Sequence, residues 1–230
     1  MIKPVLRTEI FEKNRNITAF IQSIQKSFDT ANDESYIYES EQERTDEIAM
    51  LDTLKISVRK VKEHYNVISF DHSDINTFTE QLSKRLIDLL TVLGIREMYI
   101  ISHLKMDLLG RKINTYKPLK NSRLRFEKLI GIPNNDEAFE VDLIDLSQCI
   151  ETFFWLERCD PSAPEYVFFT NKEDDFAFYL CKHGKVHTTA FEKETLTQEI
   201  LERTGWQFLD ERCDDNFTED NAIKGRRLSF

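Results

Sequence analysis

The sequence predicts an α+β fold, in which a helical N-terminal half packs on a small, mainly antiparallel sheet from the C-terminal half. In the first half, apolar residues recur at spacings of three and four, as in amphipathic helices. In the second half, short aromatic and β-branched runs are separated by turn signals. We therefore expect a single domain over 1–209, with a sub-boundary near 133–137 as the alternative, and a polar, partly mobile tail over 210–230.

Helical spacing dominates the residues up to 130. The predicted helices cover 8–28, 43–64, 75–93 and 118–130. Thr8 suits the cap of the first helix, and Ser73 and Asp74 suit the cap of the third, because a short oxygen-bearing side chain accepts hydrogen bonds from first-turn N–H groups. Gly94 and Gly131 follow the last two helices, where the terminating left-handed conformation favours glycine. The predicted strands of this half are 67–70 and 98–101.

Strand patterns dominate the residues after 140. A helix is predicted first, over 143–156, with a strand as the alternative, and a later helix over 192–204, ending at Gly205. The predicted strands are 165–170, 176–181, 185–191 and 206–209. His183 and Gly184 lie between the second and third of these strands, which indicates a tight hairpin turn.

Several classes of function have little support in the sequence. No glycine-rich phosphate loop and no Gly-x-Ser-x-Gly nucleophile elbow is present, so familiar nucleotide chemistry and serine hydrolysis are disfavoured and no cofactor is expected. The N-terminal residues carry frequent charges, and the most apolar run is about half the length of a membrane span. We therefore expect a cytoplasmic protein without a membrane partner, whose cysteines are free thiols.

The hairpin contains the best metal candidates, Cys181, His183 and His187. Residues two apart on a strand share a face, so these side chains suit a zinc site in which Cys159 or Cys213 is the fourth ligand. The competing interpretation is an inward-packed thiol with histidines at an exposed turn. Adjacent carboxylates such as Asp174 and Asp175 offer another metal-dependent chemistry, hydrolysis, although acidic pairs are also common in turns.

A basic segment over 105–128 contrasts with the net charge of −10. Cations interleaved with aromatic residues can follow a nucleic-acid backbone and stack bases. The candidate nucleic-acid-binding residues are Arg111, Lys112, Lys117, Lys120, Arg123 and Arg125. A solvated or internally paired helix face is the alternative explanation of the same charges.

Acidic residues surround aromatic ones in the segments 29–47, 136–145 and 210–220. Such a surface can speed association with a basic protein through its charge and hold that partner through its rings. The candidate protein-binding residues are Tyr36, Tyr38, Glu39, Glu41, Glu43, Asp214 and Asp215, and Phe139 and Phe217 are further candidate anchors. The leading hypothesis is thus a non-enzymatic acidic protein-binding module, such as an immunity or antitoxin-type inhibitor of a basic toxin nuclease. A nucleic-acid-binding or processing protein and a metal-dependent hydrolase remain the alternatives.

Overall fold

A computed structural model describes residues 2–29, 40–72, 74–111, 114–131, 136–209 and 217. The helices in these ranges are α1 (Arg7–Lys13), α2 (Arg15–Phe28), α3 (Glu41–Met50), α4 (Ile75–Val92), α5 (Lys117–Ile130), α6 (Leu143–Cys159) and α7 (Gln198–Thr204). The strands are β1 (Lys3–Val5), β2 (Glu63–Ser69), β3 (Glu97–Ser102), β4 (Ala138–Asp142), β5 (Val167–Asn171), β6 (Phe176–Leu180), β7 (Val186–Phe191) and β8 (Gln207–Leu209). None of the described helices is both long and apolar enough to cross a membrane.

The strands of the described ranges form one sheet in the order β1-β4-β3-β5-β6-β7-β2-β8, with every neighbouring pair antiparallel. The α+β class is confirmed. The predicted division into a helical half and a sheet half is only partly correct, because β1, β2 and β3 come from the first half of the chain.

Helices cover both faces of this sheet, because successive strand residues point to opposite sides. Phe169 of β5 belongs to the larger core, formed mainly with α4, α5, α6 and α7. Phe168, its neighbour in sequence, belongs to a second core formed with α1 and α2. A strand such as β5 is therefore apolar on both sides, which explains its continuous hydrophobic run.

The predicted helix 8–28 is interrupted at Asn14. Its N-terminal part begins after Leu6 and not at Thr8, so the predicted cap is wrong. Asp174, in the turn between β5 and β6, accepts hydrogen bonds from the backbone N–H groups of Asn16 at 2.5 Å and Ile17 at 2.9 Å. A distant carboxylate therefore satisfies the first N–H groups of α2 and defines a new helix start.

The predicted helix 43–64 is also wrong in its second part. Helix α3 ends at Met50, and Glu63 to Ser69 form β2 between β7 and β8. The predicted helix 192–204 begins too early, because α7 starts at Gln198, after the Thr197 cap. The bounds of α4 and α5 agree closely with expectation. Asp74 caps α4, and Gly131 takes the left-handed conformation after α5, with φ of 64°.

Candidate functional site

Helix α3 is an acidic helix at the surface of the described fold. None of its residues, all of which are described, is buried. Ser40 caps it by accepting a hydrogen bond from the Glu43 backbone N–H at 3.1 Å. Glu41 and Glu43 stand in the first turn, where the helix dipole favours negative charge. The sequence-predicted Tyr36, Tyr38 and Glu39 lie outside the described residues.

The C-terminal end of α3 is attached firmly to the body of the protein. The Met50 carbonyl accepts a hydrogen bond from the Lys105 backbone N–H at 2.9 Å, and the next residue, Leu51, is buried. Asp52 then accepts two hydrogen bonds from the buried Arg7 guanidinium, at 2.7 and 3.1 Å. Because this bidentate pair is shielded from water, it fixes the point from which α3 projects.

Two aromatic residues predicted as surface anchors belong instead to the core. Phe139 is buried in β4, where its ring meets that of Phe126. Phe217 is also buried and packs edge-on against Phe78, with the Arg158 guanidinium 4.6 Å from its ring centroid. Neither ring is available to a partner. The predicted Asp214 and Asp215 lie outside the described residues.

Helix α5 carries most of the basic segment and uses part of its charge within the fold. The Arg123 guanidinium donates to the Asp160 carboxylate at 2.7 Å, and the two side chains are only 5% and 2% exposed. Arg125 pairs with Glu151 of α6 at the surface. Arg123 therefore cannot reach a nucleic acid without breaking a buried pair. Of the other candidates, Arg111, Lys117 and Lys120 are exposed, and Lys112 is outside the described residues.

The hairpin residues Cys181, His183 and His187 are not assembled as a ligand set. Cys181 pairs through its backbone with Lys185, so the strand register places His187 opposite Tyr179. The Cys181 sulfur accepts from the His183 backbone N–H at 3.4 Å. Within the described part of the chain, no group of three His, Cys, Asp or Glu side chains is placed to hold a metal ion. Cys149 is a free thiol, as expected, and Cys213 lies outside the described residues.

A row of ring side chains crosses the sheet beside this hairpin, on the face that carries α1 and α2. Its members come from adjacent strands or their ends, and we call Tyr166, Tyr179, His187 and Tyr65 the ring row. Tyr166 meets Tyr179 edge-on at 5.3 Å, and Tyr179 stacks on His187 at 4.5 Å between ring centroids. Tyr65 follows at 5.9 Å, and its hydroxyl hydrogen-bonds to His187 Nδ1.

Burial sets the protonation of the ring row. Burial, followed by the nearby charge of His183, lowers the pKa of His187 to about 4. The imidazole is therefore neutral at physiological pH, and its Nδ1 can accept a hydrogen bond from the Tyr65 hydroxyl. Burial, followed by interaction with Tyr65, raises the pKa of Tyr179 above its usual range. His187 and Tyr179 are thus both uncharged at physiological pH, and the Tyr65 hydroxyl is hydrogen-bonded to His187.

A groove with basic side chains opens between α2 and the residues that lead into β2. Its volume is about 370 Å³. Lys26 of α2 and Arg59 and Lys60 of the opposite wall line it, together with Glu63. Burial raises the pKa of Glu63, and the Lys60 ammonium acts in the opposite direction. Arg59 also pairs with Glu192 at 3.1 Å. We call this feature the basic groove.

The sequence reasoning missed both the ring row and the basic groove. The helical spacing of Val58, Val61 and Tyr65 supports the predicted helix 43–64 and so conceals the strand that contains Tyr65. The available signal was that Tyr65 and Val67 alternate with the more polar His64 and Asn66, which is the period of a strand. The pairing of Tyr65 with His187 has no local signal, because 122 residues separate them.

Comparison with protein-family models, with curated proteins and with solved structures gives no match.

Proposed function

We propose that this protein is a non-enzymatic acidic protein-binding module that receives a basic partner on α3. The observation that carries the proposal is that a formed helix buries none of its own residues. A helix of ten residues is marginal in water unless something packs on it. A helix that forms without burying a residue in the fold is suited to be a surface element that a partner covers.

The charge of α3 fits such a partner. Glu41, Glu43, Asp46 and Glu47 oppose only Arg44 within the helix. Charge of one sign on an exposed helix steers an oppositely charged protein and raises its association rate. Ile48, which is 37% exposed, adds an apolar contact near the anchored end. The surface thus supplies both attraction and a site for close packing.

The anchoring of α3 favours affinity. The cap at Ser40 and the Asp52–Arg7 pair hold both ends of the helix before any partner arrives. Binding to a preformed element loses less conformational entropy than binding to a flexible one. An inhibitor of a basic toxin nuclease, as in immunity or antitoxin proteins, is a concrete instance of this function.

A charge-matched capture experiment tests the proposal. The variant Glu41→Gln/Glu43→Gln/Asp46→Asn removes three charges from α3, and Glu194→Gln/Glu199→Gln/Glu202→Gln removes three exposed charges near and on α7. The tagged wild type should retain a basic protein from native lysate at about 0.15 M salt, where only short-range charge effects persist. The α7-side variant should retain it equally, and the α3 variant should lose it.

The retained protein is then purified and titrated with the three forms of this chain. Loss of affinity confined to the α3 variant supports the proposal, and a nuclease inhibited at one-to-one ratio supports the toxin-inhibitor instance. Equal retention by all three forms overturns α3 as the docking element. Equal loss in both variants would show that net charge, not α3, attracts the partner.

A further inference from the structure

Tyr65 presents a fixed aromatic ring to solvent. It is 51% exposed, whereas His187, its neighbour in the ring row, is buried. The hydrogen bond from the Tyr65 hydroxyl to His187 Nδ1 limits rotation of the ring, and Tyr179 supports His187 from the next strand. An exposed ring held in one orientation loses little entropy when another planar group stacks on it.

The basic groove lies on the same face of β2 as this ring. Glu63 lines the groove and stands two residues before Tyr65 in β2, so both side chains point to the same face, roughly 7 Å apart along the strand. Lys26, Arg59 and Lys60 are all exposed. The groove therefore brings three cations, of which Arg59 also pairs with Glu192, to the face of β2 that carries the exposed ring, in a chain whose net charge is −10.

We propose that Tyr65 and the basic groove form a binding site for a nucleotide unit, with the base stacked on Tyr65 and the phosphate held by Lys26, Arg59 and Lys60. A stacking ring beside a cationic groove is the arrangement by which proteins hold single strands without reading their sequence. The groove volume of about 370 Å³ lies within the range of small-ligand sites.

The chemistry of the groove favours this ligand over a purely apolar or a purely anionic one. An apolar ligand would make no charge interaction with the lysine and arginine side chains of the groove, and a bare anion would not stack on the Tyr65 ring. Glu63 supplies an acceptor that suits an exocyclic amino group of a base. The nucleotide can be free or part of a single strand, since both present a base and a phosphate. The site uses no residue of α3 and is independent of the proposed function.

Fluorescence anisotropy with a labelled twelve-nucleotide single strand, and calorimetry with ATP, test the site at 0.05 and 0.15 M salt. Tyr65→Ala should bind the single strand roughly tenfold or more weakly than the wild-type protein does, because the base loses the ring on which it stacks. Tyr65→Phe keeps the ring and should stay within about threefold. Tight binding of the strand alone identifies a strand site, and binding of ATP identifies a free-nucleotide site.

The cationic side is tested by a matched pair of double variants. Lys26→Ala/Lys60→Ala should weaken strand binding and reduce the salt dependence by about 1.4 in the log–log slope, or 0.7 per lost phosphate contact. Lys117→Ala/Lys120→Ala removes the same charge from α5 and should leave binding unchanged. The proposal is overturned if the wild type binds neither probe, if Tyr65→Ala binds as the wild type does, or if both double variants weaken binding equally. Thermal unfolding verifies that each variant is folded.

Discussion

Helices α3 and α5 are both densely charged in sequence, but they differ in how far their residues are buried. Helix α5 buries one face, and its Arg123 and Arg125 pair with Asp160 and Glu151. Helix α3 buries no residue. The dense charge on α5 is therefore partly structural, whereas that on α3 remains at the surface.

The difference shows that the density of charge in a sequence does not measure the charge available to a partner. Arg123 and Asp160 are 37 residues apart, and the pair forms only because α5 and α6 pack together. A buried pair of this kind cannot act in binding without a large loss of stability.

The largest effect is expected at the buried pair of α5. Arg123→Ala leaves the Asp160 carboxylate buried without its cation, and we expect the free energy of unfolding to fall by about 3–5 kcal/mol. Chemical denaturation measures the change. The matched control Lys120→Ala removes an exposed cation from the same helix and should change stability by less than about 0.5 kcal/mol. Similar losses in both variants would show that the pair has no special structural role.

A smaller, pH-dependent effect is expected at Asp174, the carboxylate that caps α2. Burial raises its pKa from an ordinary value of 3.8 to about 6, and the hydrogen bonds from the Ile17 and Asn16 N–H groups act in the opposite direction. Its protonated form is thus favoured by folding, and the resulting stability is fully present below pH 3.8 and lost as the pH rises through about 6.

Asp174→Asn is uncharged throughout and tolerates the left-handed backbone at this position, where φ is 60°. Relative to this variant, the wild type should lose about 1–2 kcal/mol between pH 4 and 7, less than the full two-unit shift gives because solvent screens part of the charge. Urea unfolding at several pH values measures the difference. A difference that stays constant over this range contradicts the prediction, and Glu199→Gln serves as the exposed control.

The smallest global effect is expected at the cap of α3. Ser40→Ala removes a capping bond worth about 1 kcal/mol to the helix, so amide exchange across α3 should accelerate roughly fivefold. Global stability should change by less than about 0.5 kcal/mol, because α3 can unfold without exposing core.

Thr197→Ala is the matched control for this cap. Thr197 caps α7, which buries Leu201, so its loss should lower global stability by about 1 kcal/mol. Equal global losses in the two cap variants would mean that α3 folds cooperatively with the body.

Local sequence patterns located those elements whose periodicity and end signals lie within the element or directly beside it. Helix α4 was located by its apolar stripe, its Asp74 cap and Gly94, and α5 by its proline start and Gly131. The β6–β7 hairpin was located by its turn residues. In each case the periodicity and the end signals agree, so tertiary packing did not need to override them.

The sequence by itself thus determined the α+β class, the principal helices and the acidity of the α3 surface, because propensity, periodicity and charge are properties of neighbouring residues. Tertiary structure decided the break at Asn14, through a carboxylate 158 residues away from Asn16, and the conversion of a predicted helix end into β2, through pairing with β7. It also decided that Arg123 is buried and that Tyr65 shares a face of β2 with Glu63, which lines the basic groove. These outcomes depend on contacts between distant segments, and only the folded chain brings such segments together.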